Sequence, residues 1–385
     1  MAATRERVLR VIGLFAGIGG LELGFANQGF RTKMFCEIDS ECRAVLERRF
    51  PKIEVTSDVM ALDELPSSDV VTAGFPCQSF SQAGLTQGLA ESRPLIFKVL
   101  KLIRDARSLP QYLVFENVPN IVHLAGGEAL RYITRVVESL GYTWAYRIID
   151  ASSFGLPQRR ARWVFVASLG GDAPTIMLED NCAQKQHKPY TAHGFYWTEG
   201  KRGLGWANDA VPPLESGLSV GIPSPPAIWD IATRAIVKPS LCDAERLQGF
   251  PAGWAALEEG VNDAAAERRR WRMVGNAVSV PMAEWIAGRI RAGLLNSEPR
   301  GLAFRKSDTW PRAAWGRSGF RAAVGTSAFP RSEAYVPILT FLRDAPQPLS
   351  ARATRGFRTR LEESCLRYPP AFLAALKRHE RAVAE

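Results

Sequence analysis

The residue best placed to do chemistry is Cys77, within the segment GFPCQSFS at 74–81. This segment follows the apolar run DVVTA at 69–73, and a β-branched run that ends in Gly and Pro is typical of a buried strand breaking into a loop. In open α/β sheets, ligands bind at the carboxyl ends of the strands. Considered alone, a thiol at such a place is either a buried filler or a nucleophile, and the rest of the chain must decide.

A glycine-rich turn follows the first predicted strand, where RVIGLF at 10–15 runs into AGIGG at 16–20 and then a helix. Glycines let the backbone approach a ligand, and a helix N-terminus offers free N–H groups. Such a turn also suits NAD, a flavin or mere tight packing. Glu37 ends the second strand, where an acidic residue binds ribose hydroxyls, and Asp58 at the third strand end is placed to bind an adenine amino group. Together they favour an adenosyl cofactor without choosing which one.

Two further polar groups lie next to predicted strands. Glu116 and Asn117 follow the apolar run YLVF at 112–115, and the basic run QRRAR at 158–162 leads into the strand RWVFVA. Considered alone, Glu116 is as consistent with a helix cap or a salt-bridge partner as with catalysis. The arginines considered alone are typical of a solvated face.

In order along the chain, these motifs form a series that closely resembles the motif set of DNA (cytosine-5)-methyltransferases. The resemblance covers nearly all of residues 10–295 and does not obviously extend to 297–385. The series consists of FAGIGG at 15–20, Glu37, Asp58, PCQ at 76–78, ENV at 116–118, QRRAR at 158–162, RLQGFP at 246–251 and GNAV at 275–278.

The resemblance implies a covalent mechanism that makes chemical sense for these residue types. Cys77 as a thiolate would add to carbon 6 of cytosine, so that carbon 5 can attack a methyl donor. Glu116, a carboxyl kept protonated by burial, would protonate or hydrogen-bond N3 of the ring, and Asn117 would hold the loops. Arg162 would contact the cytosine O2, and Arg160 would support the pocket or Cys77. No metal ion is required.

The implied cofactor is S-adenosyl-L-methionine, with S-adenosyl-L-homocysteine as its product. The position after Glu37 is often aromatic in relatives and stacks on adenine, whereas Ile38 here predicts apolar packing only. The cofactor-binding residues implied by the resemblance are Phe15, Ala16, Gly17, Gly19, Gly20, Glu37, Ile38, Asp58, Val59, Pro76, Ile96, Asn276 and Val278.

Strands alternating with helices predict an α/β fold: a doubly wound, Rossmann-like methyltransferase sheet with a smaller, loop-rich target-recognition domain. The predicted catalytic domain spans 1–167 and is completed by 272–296, the target-recognition domain spans 168–271, and a basic extension spans 297–385. In this extension the arginines at 352, 355, 358 and 360 would share a helix side. Either they add contacts to DNA phosphates, or the extension packs against the sheet domain.

Charge and cysteine usage limit the class of protein. The net charge is +10, and the last 89 residues carry 16 Lys and Arg against 8 Asp and Glu, which favours a polyanionic partner such as nucleic acid. The six cysteines include no C-x-x-C pair, which argues against a zinc site or a disulfide framework. No apolar run approaches the roughly 20 residues that span a bilayer, so we expect a cytoplasmic, nucleoid-associated protein.

We therefore expect a bacterial enzyme that flips a cytosine out of double-stranded DNA and methylates it. It would act as a monomer and protect host DNA from a cognate restriction endonuclease, a functional rather than a physical partner. Three alternatives stay open at this point. They are a methyltransferase acting on transfer RNA, a catalytically silent DNA-binding relative, and a nicotinamide-dependent dehydrogenase.

Overall fold

The chain divides into two compact units, each assembled from three segments. The computed structural model describes residues 7–76, 95–184, 188–201, 203–214, 225–256, 264–294, 301–305, 308–333 and 336–384. Unit 1 consists of Met1–Asp150, Ala161–Ala183 and Val278–Arg331, and unit 2 of Ala151–Arg160, Gln184–Ala277 and Ser332–Glu385. The predicted nucleophile, Cys77, lies outside the described residues.

Strands and helices alternate through the first half of the chain. The strands are β1 (Arg10–Leu14), β2 (Arg31–Cys36), β3 (Glu54–Thr56), β4 (Val70–Ala73), β5 (Tyr112–Asn117), β6 (Thr143–Asp150), β7 (Ala161–Ser168), β8 (Ala192–Phe195), β9 (Ala207–Asn208), β10 (Ala227–Asp230), β11 (Ile236–Lys238), β12 (Leu302–Ala303), β13 (Ala313–Arg317), β14 (Phe320–Ala323) and β15 (Gln347–Pro348). The α-helices are α1 (Gly20–Asn27), α2 (Ser40–Arg49), α3 (Leu95–Arg104), α4 (Glu128–Ser139), α5 (Ala173–Leu178), α6 (Leu241–Leu247), α7 (Ala264–Asn276), α8 (Val280–Arg291), α9 (Ile338–Phe341), α10 (Ala351–Glu362) and α11 (Pro370–Ala382).

Unit 1 is built on a ten-stranded sheet in the order β12-β14-β13-β6-β7-β5-β4-β1-β2-β3. The five strands β1 to β5 run parallel to one another. β7 pairs antiparallel with β5, and β6 pairs antiparallel with β7 and therefore runs in the direction of β1 to β5. Every residue of β4 and β5 is buried, as expected of central strands covered on both faces, and this explains their continuous apolar runs. The predicted doubly wound α/β sheet is confirmed.

The helices of unit 1 form where the sequence supplies caps and an apolar face. Asp39 begins α2, because its carboxylate accepts the backbone N–H groups of Glu41 and Cys42 and so satisfies donors that the first turn leaves open. In α4 the buried residues recur every three or four positions, which gives one face for the sheet and one for solvent.

The C-terminal region contributes three strands to this same sheet. β13 pairs with β6, and β14 and β12 follow outward, so the long strand β6 is not left as an open edge. The Tyr146 hydroxyl on β6 donates to the Pro311 carbonyl over 2.7 Å. Trp310, only 3% exposed, packs against Trp144 and Tyr146 and lies under the Arg321 guanidinium, 5.0 Å from its ring centroid.

Unit 2 contains a five-stranded antiparallel sheet in the order β15-β11-β10-β8-β9. The helices α10 and α11 pack against it through aromatic contacts. Phe357 of α10 lies 5.0 Å from Phe195 of β8, and Phe372 of α11 lies 5.3 Å from Trp229 of β10, measured between ring centroids. These four side chains belong to one buried cluster, so the C-terminal helices are part of the core of unit 2.

The structure divides the chain differently from the predicted domains. The segment predicted as a single extension, 297–385, is shared: β12, β13 and β14 complete the sheet of unit 1, while β15, α9, α10 and α11 belong to unit 2. Unit 1 also continues past the predicted boundary at 167 as far as Ala183, because α5 packs on β6 and β7. The helix α7, which includes the start of the predicted 272–296 completion, falls in unit 2.

Three of the four arginines predicted to share a helix side have partners inside unit 2. Arg355 and Arg358 both pair with Glu380 on α11, at 2.6 and 2.9 Å from Nε to the carboxylate oxygens. Arg360 donates to the carbonyls of Trp197 and Glu199 over 2.8 Å each. These contacts hold α10 within unit 2, whereas the predicted packing was against the sheet domain. Contact of these arginines with DNA phosphates stays a prediction.

None of the helices in the described ranges is both long enough and apolar enough to cross a bilayer.

Candidate active site

The predicted site residues of unit 1 collect at one edge of its sheet, where β1, β2, β4 and β5 end. β7 runs antiparallel to β5, so its first residues lie beside the last residues of β5; Trp163 is opposite Asn117 and Val164 is opposite Glu116. Arg162, at the start of β7, is thereby brought to the carboxyl end of β5. This topology assembles residues that are far apart in the sequence.

Glu116 and Arg162 form an ion pair at this edge. Arg162 Nε lies 2.9 Å from Glu116 Oε1, and the two side chains are only 13% and 11% exposed. The pair places a cation beside the largely buried carboxyl group of Glu116. A Glu116 kept protonated by burial stays a prediction.

Asn117 holds the chain that leads to the predicted nucleophile. Its Nδ2 donates to the Phe75 carbonyl over 2.8 Å, and its Oδ1 accepts the Val118 N–H over 2.9 Å. The Nδ2 bond therefore joins the end of β5 to the chain after β4, while the Oδ1 bond holds the backbone directly after β5. Phe75 is buried and Pro76 exposed, and Pro76 is the last described residue before Cys77.

Gly74 is the point around which several predicted residues meet. A Cβ built there would lie 3.6 Å from Glu116 Oε2, 3.8 Å from the Phe15 carbonyl oxygen and 3.8 Å from Val278 Cγ2. The structure thus brings together one predicted catalytic residue and two predicted cofactor residues, next to the strand end that precedes Cys77.

The glycine-rich turn has an unusual backbone that opens towards the strand ends. Phe15, Gly17 and Gly19 all have positive φ, at 54°, 55° and 82°. No atom lies within 4 Å of the place where a Cβ on Gly17 would be, so the backbone is open on that side. Ala16 donates to the Cys36 carbonyl over 3.2 Å, which fastens the turn to the end of β2. Gly20 then begins α1.

Glu37 is held in place by backbone donors from two directions. Its Oε2 accepts the Gly17 N–H over 2.7 Å and its Oε1 accepts the Asp39 N–H over 2.9 Å. Arg43 Nη1 in turn donates to the carbonyls of Glu37 and Ile38. The Ile38 side chain is 73% exposed, an unusual exposure for a large apolar group.

Asp58 occupies the corresponding place after β3. Its Oδ1 accepts the Met60 N–H over 2.8 Å and so begins a 3₁₀ helix, while the Val59 side chain is buried. The neighbouring strands β2 and β3 therefore end in two carboxylates, Glu37 and Asp58, that are both fixed by backbone N–H groups.

Ile96 does not belong with the other predicted cofactor residues. Its side chain has no exposed surface and lies within the hydrophobic core of unit 1, so it has no surface to offer a ligand. Of the last two predicted residues, Val278 lies in unit 1, whereas Asn276 is the exposed last residue of α7 in unit 2.

Arg160 is a buried side chain that holds three backbone carbonyl groups of unit 2. It is 2% exposed, and it donates to the carbonyls of Leu214, Gly275 and Ala277 over 3.2, 3.0 and 2.8 Å. These contacts are compatible with its expected role in supporting the pocket, and its place among the catalytic residues stays a prediction. The Arg160 hydrogen bonds therefore hold Gly275 and Ala277, the two residues that flank Asn276.

Sequence reasoning missed Glu22 and Thr72, which lie under the glycine-rich turn. Thr72 Oγ1 lies 2.6 Å from Glu22 Oε1, and both residues are buried. A signal was present, because a glutamate inside the apolar run LELGF is out of place on a buried helix face. Within the described ranges, no three His, Cys, Asp or Glu side chains are grouped so that they could hold a metal ion.

The geometry therefore combines an open glycine-rich turn and two fixed carboxylates with a Glu–Arg pair beside a strand that leads to a cysteine. A family model described as C-5 cytosine-specific DNA methylase matches residues 9–200. The chain belongs to this family of S-adenosylmethionine-dependent DNA cytosine-5 methyltransferases, as the following relatives also indicate.

A type II methyltransferase of Bacillus subtilis (strain 168), M2.BsuMI, is 40% identical to this chain over 96% of its length and 98% of the relative. M.DsaV of Dactylococcopsis salina, another type II methyltransferase, is 32% identical over 74% of this chain and 86% of its own length. The crystal structure of the S. pombe Dnmt2 methyltransferase covers 74% of this chain and 98% of its own, with a TM-score of 0.54 and 16% identity, which supports the fold alone.

Proposed function

We propose that the protein methylates carbon 5 of a cytosine that has flipped out of a specific duplex DNA sequence, through a covalent bond between Cys77 and carbon 6. The observation that carries the proposal is the pair of links at the ends of β4 and β5. Asn117 fastens the Phe75 carbonyl, two residues before Cys77, and Glu116 meets Arg162 at the same sheet edge. A base placed there would lie beside an acid and a cation, next to the strand end that precedes Cys77 in the sequence.

The proposed reaction begins and ends with Cys77 as a thiolate. The Cys77 thiolate adds to carbon 6, and the ring electrons move towards N3, where a proton or hydrogen bond from Glu116 prevents a free carbanion. When bound, S-adenosylmethionine would supply the methyl group: carbon 5 of the ring bonds to the methyl carbon, the bond from that carbon to the sulfonium sulfur breaks, and S-adenosylhomocysteine is left. Water then removes the proton from carbon 5, the sulfur–carbon bond breaks, and Cys77 leaves as a thiolate.

The ion pair gives Glu116 and Arg162 complementary parts in this proposal. In the protein without substrate each neutralises the other, so neither is a buried lone charge. An entering cytosine offers its O2 to the Arg162 guanidinium, and this draws the cation away from the carboxylate. Glu116, deprived of its partner in a largely buried place, then favours a proton, which it shares with N3.

The cofactor fits the residues at the ends of β1, β2 and β3. Glu37 supplies acceptors for ribose hydroxyls and Asp58 an acceptor for the adenine amino group, while the open backbone at Gly17 allows close approach. The exposed Ile38 would cover the adenine by apolar packing. We extend this proposal to the other predicted cofactor residues except Ile96: Phe15, Ala16, Gly19, Gly20, Val59, Pro76, Asn276 and Val278.

Unit 2 is the proposed target-recognition unit. The residues used in the proposed mechanism lie in unit 1, as do those proposed for cofactor binding with the exception of Asn276. We also propose that the protein acts as a monomer and protects host DNA from a cognate restriction endonuclease. The recognition of a specific sequence would then come from side chains on the irregular loops of unit 2.

A covalent trap tests the mechanism without knowledge of the recognised sequence. Random-sequence duplexes made with 5-fluorocytosine carry the probe in every context, and fluorine at carbon 5 blocks the final proton removal. With S-adenosylmethionine present, we expect a stable adduct on Cys77, identified by peptide mass spectrometry. Cys77→Ser should form none. An adduct on transfer RNA but not on duplex DNA, or no adduct at all, would refute the proposal.

A further inference from the structure

Glu22 is a buried acid that the proposed mechanism does not use. It lies in the first turn of α1, directly after the glycine-rich turn, and is 1% exposed. Gly13 on β1 makes room for it, because a Cβ there would overlap Glu22 Oε1. No lysine or arginine among the described residues forms a salt bridge with it, and its Oε2 has no hydrogen-bond partner within the same ranges.

The number of hydrogens available around Thr72 indicates whether the structure accommodates the charged or the protonated form of Glu22. Thr72 Oγ1 lies 2.6 Å from Glu22 Oε1 and 3.2 Å from the Ile12 carbonyl oxygen, but a hydroxyl carries only one hydrogen. If Glu22 is charged, that hydrogen can serve only one of the two acceptors. If Glu22 is protonated, it donates to Thr72 while Thr72 donates to Ile12, and both bonds form.

We propose that protonated Glu22 is a positioning residue for the cofactor turn. Together with Thr72 it ties α1 to β1 and to β4, the strands that lead into the glycine-rich turn and towards Cys77. Loss of the proton breaks this chain of hydrogen bonds and leaves a buried charge without a cation. The turn must then open to hydrate that charge, so cofactor affinity falls. This inference rests on the cofactor assignment proposed above.

The surrounding charges agree with a proton held near neutral pH. Burial raises the pKa of Glu22 from 4.5 to about 7, and the Glu37 carboxylate adds to the rise, while the hydrogen bonds from Thr72 and from the backbone N–H of Glu22 itself oppose it. The helix α8, packed against α1, brings Glu284 and Arg291, but these bind Asn27, Gln28 and the Gln28 carbonyl at the far end of α1. Glu37 is thus the charge that bears most on Glu22.

Calorimetric binding of S-adenosylhomocysteine between pH 6 and pH 8.5 tests the proposal, because this ligand lacks the sulfonium charge. For the wild type, Kd should rise above about pH 7 and approach about tenfold per pH unit, the limit for one proton. Glu22→Gln keeps a donor to Thr72 but cannot ionise, so its Kd should stay near the low-pH wild-type value throughout. Glu284→Gln, a matched change on α8, should keep the wild-type profile.

Two variants at Thr72 make the result independent of how well Glu22→Gln folds. Thr72→Ser keeps the hydroxyl and should reproduce the wild-type profile, whereas Thr72→Val should bind weakly even at pH 6. Identical profiles for wild type and Glu22→Gln, or a wild-type affinity that rises with pH, would overturn the inference alone. Absence of binding by the wild type at every pH would overturn the cofactor assignment and this inference with it.

Discussion

Replacing Arg160 by methionine separates a catalytic role for this residue from the positioning role that its contacts indicate. Methionine keeps an unbranched stem in the buried space but removes all the guanidinium donors. The carbonyls of Leu214, Gly275 and Ala277 would each lose a donor in a place that water reaches poorly. Two of these carbonyls flank Asn276, so the change also frees the segment proposed to contact the cofactor.

The contacts of Arg160 set the expected size of the effect. A hydrogen bond from a charged donor contributes about 1.5–3 kcal/mol, and such bonds are not additive when they share one group. A total loss of about 3 kcal/mol is therefore reasonable, which corresponds to a fall in melting temperature of roughly 6–12 °C for a domain of this size. Loss of one cofactor contact, at about 1.4 kcal/mol, would raise KM for S-adenosylmethionine about tenfold.

Thermal melts and initial-rate kinetics on duplex DNA measure these quantities, with Arg159→Met as the control. Arg159 is the exposed neighbour of Arg160, so its replacement should leave the melting temperature and the cofactor KM unchanged. Arg160→Met should lose stability and raise KM while kcat changes by less than about threefold. A variant that melts like the wild type, keeps its KM and loses kcat by orders of magnitude would refute the positioning role.

Three further changes test other parts of the structure. Trp310→Ala should lower the free energy of unfolding by about 3–5 kcal/mol because Trp310 fills the core of unit 1, and a melting temperature equal to that of the wild type would contradict this packing. Glu116→Gln should lower the rate of methyl transfer to DNA by about 10²–10⁴-fold and leave S-adenosylhomocysteine affinity unchanged, as measured with labelled cofactor and by calorimetry. The pKa of Glu22 is raised from 4.5 to about 7, so its stabilising contribution is complete below pH 4.5 and is lost as pH rises through about 7. This loss is worth about 3 kcal/mol, and thermal melts of the Glu22→Gln variant, compared at pH 5 and pH 8, should not show it.

The catalytic half of the fold could be predicted because its strands are buried on both faces. Such strands read as short apolar runs, and those runs end in the glycines and polar residues that mark the carboxyl edge of the sheet. Glu37 follows β2 and Glu116 lies near the end of β5, while Asp58 comes after the short, partly exposed edge strand β3, so the parallel topology predicts that they share one edge. The predicted fold class and family depend on this local information.

The parts that could not be predicted depend on partners distant in sequence. β13, with the sequence AAWGR, carries no strong strand signal, and it forms because β6 offers an open edge about 170 residues earlier in the chain. The contacts of Arg160 could not be predicted for a similar reason. Its sequence neighbourhood is shared with Arg162, but its carbonyl partners come from residues 214, 275 and 277.

The excess positive charge of the last 89 residues favours a nucleic-acid partner, yet much of it has an internal use. Arg358 pairs with Glu362 and Glu380 at only 22% exposure, which holds α10 against α11. Because an arginine both covers apolar surface and binds carboxylates with its planar fork, a basic helix can be basic for packing. Arg358→Gln should therefore lower the melting temperature without changing the salt dependence of DNA binding. A slope of log affinity against log salt reduced by about 0.9, the value for one lost phosphate contact, would assign Arg358 to DNA instead.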